Sequence, residues 1–258
     1  MSEQRLPKLE RQERILARLH SDVTVRIAWL AEEFGVSTET VRRDLDELYR
    51  KGVINRTYGG AARKSLTQEP GIQERGQRNV PERERIAAFA ARLIEPGEAL
   101  MIDCGSTTCH FARELAGRAS RLTVVTNCLP VATLLSEASQ VRVMLCPGDY
   151  SGREAGVYGP ETIEFLKRFR VDRAVIGAGG LTCNGPTDAD SQGCWVKRTM
   201  MAQAEETLLL LDSSKFQVNQ FETVCPLEAL HGIVSDARPD AALLKCIERA
   251  SVRLQVAG

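Results

Sequence analysis

The 258-residue sequence predicts an α/β protein in two parts: a small, mainly helical module in front and a larger module behind it, built on a mostly parallel sheet. Three observations carry that expectation. Apolar residues recur at helical spacing as far as Leu48. A polar stretch containing Pro70, Gly71 and Gly76 then interrupts the pattern. From Ile86 onward short apolar runs alternate with helical segments, as they do when parallel strands are joined by crossover helices.

In the front module, residues 8–19 place Ile15, Leu16 and Leu19 on one side and Arg11, Arg14 and Arg18 largely on another. Residues 23–25 form a short extended stretch. Ile27, Leu30, Ala31 and Phe34 recur at i, i+3, i+4 and i+7, one apolar helix face. Gly35 reverses the chain cheaply, and Ser37 is placed to cap the next helix. Val41, Leu45 and Leu48 form the buried face of that second helix, which leaves Thr38, Glu39, Thr40, Arg42 and Arg43 outside at its start. Two helices joined by a tight turn, the second presenting its N-terminal turns, make the helix-turn-helix arrangement that enters a major groove. An ordinary αα-corner has the same apolar spacing; the flanks favour DNA. Tyr49, Arg50 and Lys51 end the helix with basic charge, Gly52 stops it, and residues 53–58 alternate as a strand up to Gly59 and Gly60. Three helices and a hairpin make a winged helix, in which Arg56 and Tyr58 face the sugar–phosphate backbone. Arg42 and Arg43 can reach phosphates or guanine edges. The sequence leaves open which of them reads a base, and Arg43 has an alternative partner in Glu39 or Glu47, a pair worth about 0.2–0.5 kcal/mol.

The expected division is a DNA-binding domain over 1–62, a linker over 63–80 with a short helix near 72–78, and an effector domain over 81–258. Net charge is zero, yet residues 1–64 hold 13 Lys/Arg against 10 Asp/Glu and the remainder holds 21 against 24. The sign suits a nucleic-acid module in front and argues against a wholly basic coating protein. No apolar run is long enough to span a bilayer, and residues 1–19 are charged, unlike a signal peptide, so no membrane partner and a cytoplasmic location are expected. The eight cysteines, with no CxxC pair, read as reduced thiols, mostly small core residues. Cys104 and Cys109 lack partners at zinc-like spacing and His20, His110 and His231 are scattered, so neither a metal nor a cofactor is expected.

In the rear module, strand candidates lie at 99–102, 122–126, 141–146, 173–177, 207–212 and 232–235, with helices at 86–94, 109–116, 130–137, 161–169, 196–204 and 241–249. Ligands in such sheets sit beyond the carboxyl ends of the strands. Gly105, Ser106, Thr107 and Thr108 lie between a strand and a helix, where backbone N–H groups and hydroxyls can surround an anion. The stretch lacks a Walker lysine and the Rossmann glycine spacing, so a small phosphorylated molecule fits better than ATP or a dinucleotide. The alternative is a plain turn with a capping threonine. Further strand-end candidates are Thr126 and Asn127, the glycine-rich stretch with Gly179, and Asp212 with Lys215. Lys215 adds a point charge for phosphate or is a solvated surface lysine. Lys197 is either a cleft cation or a helix-face charge. Asp103, Asn127 and Asp188 are the expected contacts to sugar hydroxyls.

Together the modules resemble the DeoR family of bacterial transcriptional repressors. The front carries RQERIL, LAEEFGVSTETVRRDLDEL and GVINRTYGGA. The rear carries Arg75 and Asn79 ahead of an IA-containing helix, then IDCGSTT, LTVVTN, DRAVIGAGGL and LLLLDSSKF. The resemblance spans 11–61 and most of 75–236. It implies a winged helix-turn-helix on double-stranded operator DNA and a rear domain related in fold to ribose-phosphate isomerases. It also implies a phosphorylated sugar or sugar-like effector, a homodimer or homotetramer, repression of a carbohydrate-catabolism operon, and a cytoplasmic bacterial protein, at the nucleoid when bound. Two departures stand out. Pro147-Gly148 replaces a common Gly-Gly, and Gly185-Pro186-Thr187-Asp188 keeps its glycine but brings a proline, Asp188 and Asp190. Both leave the phosphate end alone and change what the rest of the ligand must look like. The competing expectation is a sugar-phosphate isomerase tethered to DNA, with Asp103 or Asp188 as the base. A third is an architectural DNA binder with a vestigial rear domain.

Overall fold

The computed structural model describes residues 6–22, 24–50, 53–63, 66, 69–118 and 121–258. Val23, Lys51, Gly52 and residues 64, 65, 67 and 68 of the expected linker lie outside the described residues. The chain divides into two compact units, 1–65 and 66–258.

The first unit runs α1 (Lys8–Ser21), β1 (Thr24–Arg26), α2 (Ile27–Glu33), α3 (Thr38–Arg50), β2 (Ile54–Thr57) and β3 (Gly60–Arg63). Its core is the set of residues that helical spacing picked out, Ile15, Leu19, Ile27, Leu30, Ala31, Phe34, Val41, Leu45 and Leu48, closed by Val25, Ile54 and Ala61 from the strands. Gly35 takes φ +61° at the turn between α2 and α3, a left-handed conformation that glycine adopts without penalty. The strands form an antiparallel sheet in the order β1-β3-β2. Gly60 permits that order, because a Cβ there would come within 2.0 Å of the Val25 carbonyl oxygen.

Arg11, which helical spacing sets apart from the Ile15 face, is buried all the same. It donates from Nε to Asp44 Oδ2 at 2.6 Å and from Nη2 to Asp44 Oδ1 at 3.1 Å, with Nη1 on the Leu6 carbonyl at 2.8 Å. Asp44 lies on the inner side of α3 between Val41 and Leu45, so a charge on an apolar face is matched by a charge on the helix beneath it.

The second unit begins with α4 (Ile72–Gly76) and α5 (Val80–Ala91), then β4 (Ala99–Ile102), α6 (Ser106–Ala116), β5 (Leu122–Thr126), α7 (Leu129–Ser136) and β6 (Val141–Leu145). A hairpin of β7 (Asp149–Ser151) and β8 (Gly156–Tyr158) leads to α8 (Pro160–Leu166) and β9 (Val171–Ile176). After these come β10 (Gly180–Thr182), β11 (Gly185–Asp188), α9 (Ser191–Ala202), β12 (Ala204–Leu210), β13 (Glu222–Thr223), β14 (Gly232–Ser235), α10 (Ala241–Arg249) and β15 (Arg253–Val256). Seven strands make one parallel sheet in the order β15-β14-β12-β9-β4-β5-β6. The direction of chain progression reverses between β4 and β9, and ligands favour the crevice beyond the carboxyl ends at such a point.

Alternation along the strands splits the core into two layers. Leu100, Ile102, Leu208 and Leu210 pack with Ile86, Phe111, Leu115 and Leu135 of α5, α6 and α7. Met101 and Val125 pack on the other face with Leu166, Val196 and Met200 of α8 and α9, and Leu209 and Leu211 pack there with Leu243 and Ile247 of α10. No helix among the described residues is long and apolar enough to cross a membrane.

Three features depart from the sequence expectations. Residues 69–79 of the expected linker are packed onto the second unit. The Ile72 N–H donates to the Arg153 carbonyl at 3.0 Å, Arg153 in turn donates to the Glu69 carbonyl, and Arg75 reaches the Pro70 carbonyl at 2.7 Å. Polar composition reads as linker, yet here the polar side chains bind a protein surface. A small antiparallel sheet, β10-β11-β13, was also not expected; its strands are two to four residues long and carry glycine and proline. Finally, Cys183 and Cys246 form a disulfide, contrary to the expectation of reduced thiols throughout, with Cα atoms 5.4 Å apart. The β10–β11 turn lies against α10, a proximity that a sequence separation of 63 conceals. Cys104, Cys109, Cys128, Cys146, Cys194 and Cys225 are free, and burial pushes the last three up to about 12.

Asp44→Ala leaves the Arg11 guanidinium buried without its carboxylate, and the first unit should lose about 3–5 kcal/mol. Hydrogen exchange over α3 measures this; unchanged protection would mean that the pair contributes nothing.

Candidate effector pocket and nucleic-acid interface

The second unit holds a small cavity beyond the carboxyl ends of β4, β9 and β12. Gly105, Ser106, Thr107, Gly179, Asp188, Lys197 and Lys215 line it, seven of the residues expected from sequence. The first turn of α6 forms one wall. Its N-cap is Gly105, which supplies no side-chain cap, so the first-turn N–H groups remain available to an anion at the positive end of the helix.

Behind that wall lies a buried ionic triad. Lys197 Nζ stands 3.1 Å from Asp103 Oδ2 and 3.0 Å from Asp188 Oδ2. Asp103 also accepts the Gly177 N–H at 3.1 and 3.2 Å, which joins the ends of β4 and β9. Burial opposes the Lys197 charge, but Asp188 and Asp103 outweigh it and hold the ammonium well above the ordinary lysine value. Burial pushes the Asp103 carboxyl up against the pull of Lys197, and the second carboxylate at Asp188 pushes the same way. Lys197 is thus a cleft cation and not a helix-face charge.

Two further cations face the cavity with their own carboxylates. Lys215 Nζ bonds Glu69 Oε1 at 2.7 Å. Arg75 Nη2 bonds Glu154 Oε2 at 2.7 Å and its Nη1 lies 3.7 Å from Glu69 Oε2. Burial opposes the charge on Arg75, but the hydrogen bond to Glu154 and the fields of Glu69 and Glu154 outweigh it and raise its pKa. Arg83 adds a third, tied to Asp212 at 3.3 Å and to the Arg75 carbonyl; burial lowers its pKa against the pull of Asp212.

The remaining expected residues are engaged inside the protein. The Thr108 hydroxyl donates to the Asp103 and Gly105 carbonyls, both at 2.9 Å, and so fixes the turn into α6. Thr126 donates to the Ile102 carbonyl at 2.6 Å and accepts from the Cys128 N–H at 3.0 Å. Asn127 donates to the Val157 carbonyl at 3.1 Å, while its buried Oδ1 has no hydrogen-bond partner among the described residues. Asp212 binds Arg83 and Asn79 Nδ2, the latter at 2.9 Å, and caps the turn at Ser213–Lys215 through the Ser214 N–H. These four, like Asp103, hold the walls and do not line the cavity. Glu69, Arg75, Arg83, Glu154, Tyr158 and Asp190 line it without having been expected there. For Arg75 and Asp190 the sequence held a signal, since both were singled out; Glu69, Arg83, Glu154 and Tyr158 had none.

In the first unit the expected DNA-facing residues lie at the start of α3 and on the β2–β3 hairpin. Ser37 Oγ accepts the Thr40 N–H at 3.1 Å and caps α3. Thr38, Glu39, Arg42 and Arg43 are exposed, and both arginines lean on Glu39, at 3.8 and 3.4 Å. Exposed pairs of this kind are worth about 0–1 kcal/mol and yield readily to a phosphate. Arg56 on β2 pairs with Asp46, and Tyr58 is fully exposed at the tip of the β2–β3 hairpin.

A capped helix with a basic exposed start, and a parallel sheet whose crevice gathers cations, are together the two parts of a ligand-responsive DNA-binding regulator. Residues 11–67 match the DeoR-like helix-turn-helix domain and residues 78–237 the DeoR C terminal sensor domain. The chain belongs to the DeoR family of transcriptional regulators. It is 31% identical to the glycerol-3-phosphate regulon repressor of Escherichia coli K12 over 88% of this chain and 90% of that one. It is likewise 31% identical to the lactose phosphotransferase system repressor of Streptococcus mutans, over 92% and 96%. Ribose 5-phosphate isomerase A from Methanocaldococcus jannaschii overlays 54% of this chain and 55% of its own at 18% identity, with a TM-score of 0.41.

Lys197→Met leaves two buried carboxylates facing each other and should cost the second unit about 3–5 kcal/mol. Because the folded pKa lies above the ordinary value of 10.5, the lysine's contribution is fully present below that pH and is lost as pH rises through the folded value. Thermal unfolding at pH 7 should therefore separate variant from wild type clearly; equal melting temperatures would contradict the triad's role.

Proposed function

We propose that the second unit senses a small phosphorylated sugar or sugar acid and that its occupancy controls operator binding by the first. The observation that carries this is the meeting of an uncapped helix N-terminus at Gly105, Ser106 and Thr107 with Lys215 and Arg75 in one cavity. A phosphate there would accept bonds from the α6 N–H groups and the two cations, while Asp188 and Lys197 would meet hydroxyls of the attached carbon chain. The names of two relatives, a glycerol-3-phosphate regulon repressor and a lactose phosphotransferase system repressor, support repression of carbohydrate genes as the output.

In the first unit, α3 would enter the major groove, with Ser37, Thr38, Glu39 and Thr40 at its start and Arg42 and Arg43 on phosphates or bases; Arg56 and Tyr58 would follow the backbone. A homodimer or homotetramer would present two such helices to two half-sites, and effector binding would favour one spacing over the other through unequal affinity. Such a protein works in the cytoplasm, at the nucleoid when bound. The pocket is read as a sensor and not as an isomerase site because Asp103, the obvious base, is already bonded to Lys197 and the Gly177 N–H, and Asp188 to Lys197.

Operator binding measured with and without phosphorylated sugars tests both halves. Arg43→Ala should weaken binding and lower the salt slope by about 1 if one phosphate contact is lost. Lys215→Ala should bind operator normally and respond poorly to the sugar phosphate. Absence of any response in wild type, across the phosphorylated sugars, would overturn the sensor role.

A further inference from the structure

Of the cations that line the cavity, Lys215 is paired by Glu69, which comes from a distant part of the chain and also lies near Arg75. Its Oε1 lies 2.7 Å from Lys215 Nζ, 146 residues away, and its Oε2 lies 3.7 Å from Arg75 Nη1. The side chain is 9% exposed, and Oε1 would stand 3.5 Å from a Cβ on Gly179. The carboxylate therefore sits inside the cavity, among the groups that would otherwise hold an anion. It also stands four residues after the end of the first unit at Ser65.

We propose that Glu69 is a built-in anion, an internal occupant of the phosphate site that the effector must displace. This rests on the phosphate assignment above and adds its regulation. A carboxylate and a phosphate dianion cannot share Lys215 and Arg75 without strong like-charge repulsion. The phosphate brings more charge and three strong acceptor oxygens, so it displaces the carboxylate. The expelled side chain loosens the backbone strap at residues 69–72, now held by Arg153 on the Glu69 carbonyl and by the Ile72 N–H on the Arg153 carbonyl, while Arg75 stays with the phosphate. Filling the pocket thereby reaches the segment that leads into the DNA-binding unit. By linkage, whatever favours the docked strap must weaken the effector by the same factor.

Inorganic phosphate and glucose 6-phosphate, titrated calorimetrically into full-length wild type and Glu69→Gln, provide the test. The variant keeps the side-chain shape and removes the charge, and it should bind either ligand at least tenfold more tightly. In wild type alone, phosphate should also speed hydrogen exchange at residues 69–72, a readout independent of how the variant folds. If wild type binds and Glu69→Gln binds equally or less tightly, with no change in exchange over 69–72, the displacement is wrong and the phosphate site stands. If neither ligand binds either protein, the phosphate assignment itself falls.

Discussion

The ammonium of Lys197 between Asp103 and Asp188 is the interaction on which the second unit's crevice depends. Asp103 ends β4, Asp188 ends β11, Lys197 lies on α9, and the Gly177 N–H that Asp103 accepts follows β9. Four elements of different sequence origin are thus drawn to one point. Such an arrangement is costly, since each ion loses several kcal/mol of hydration on burial. An apolar substitute would pack as firmly but would not set the angles of the strand ends. The triad exchanges some stability for a fixed geometry at the carboxyl ends of the strands.

The cavity gathers four cations, yet each is already matched: Lys197 by two aspartates, Lys215 by Glu69, Arg75 by Glu154 and Arg83 by Asp212. Charge balance explains how so many ionised groups lie below the surface without unfolding the unit. It also means that an entering anion meets occupied partners. The pairs differ in origin: Asp103, Asp188, Glu154 and Asp212 belong to the sheet or its hairpins, whereas Glu69 belongs to the strap. The occupant that can leave most cheaply is the one tied to the least regular backbone.

Much of the fold was legible in the sequence because burial imposes periodicity. The face of Ile27, Leu30, Ala31 and Phe34 and that of Val41, Leu45 and Leu48 could be read from spacing alone, and Gly35 marked the turn between them. In the rear, the apolar runs at 99–102 and 122–126 are the strands β4 and β5. What spacing cannot see is a polar group used inside. The spacing that sets Arg11 apart from Ile15 does not show that Asp44 meets it inside. Residues 69–79 looked like a linker because their hydrogen bonds go to residues as distant as Glu154 and Asp212. The same blindness divided the site. Ser106 and Thr107 follow a strand and announce themselves, while Thr108 and Thr126, identical in kind, serve the backbone. No local pattern distinguishes a hydroxyl that meets a ligand from one that holds a turn.

Strands β4 to β6 run outward from the middle of the large sheet in one direction, and β9, β12, β14 and β15 run in the other. The sheet is therefore two consecutive lengths of chain stitched along a single pairing, β4 with β9. A phosphorylated molecule bound as proposed would rest over that stitch, on the α6 turn from one length and on Gly179 and Lys215 from the other, and would act as a clasp across it. Its departure would then leave the two lengths easier to part, and the lifetime of the protein against proteolysis would follow the supply of that ligand.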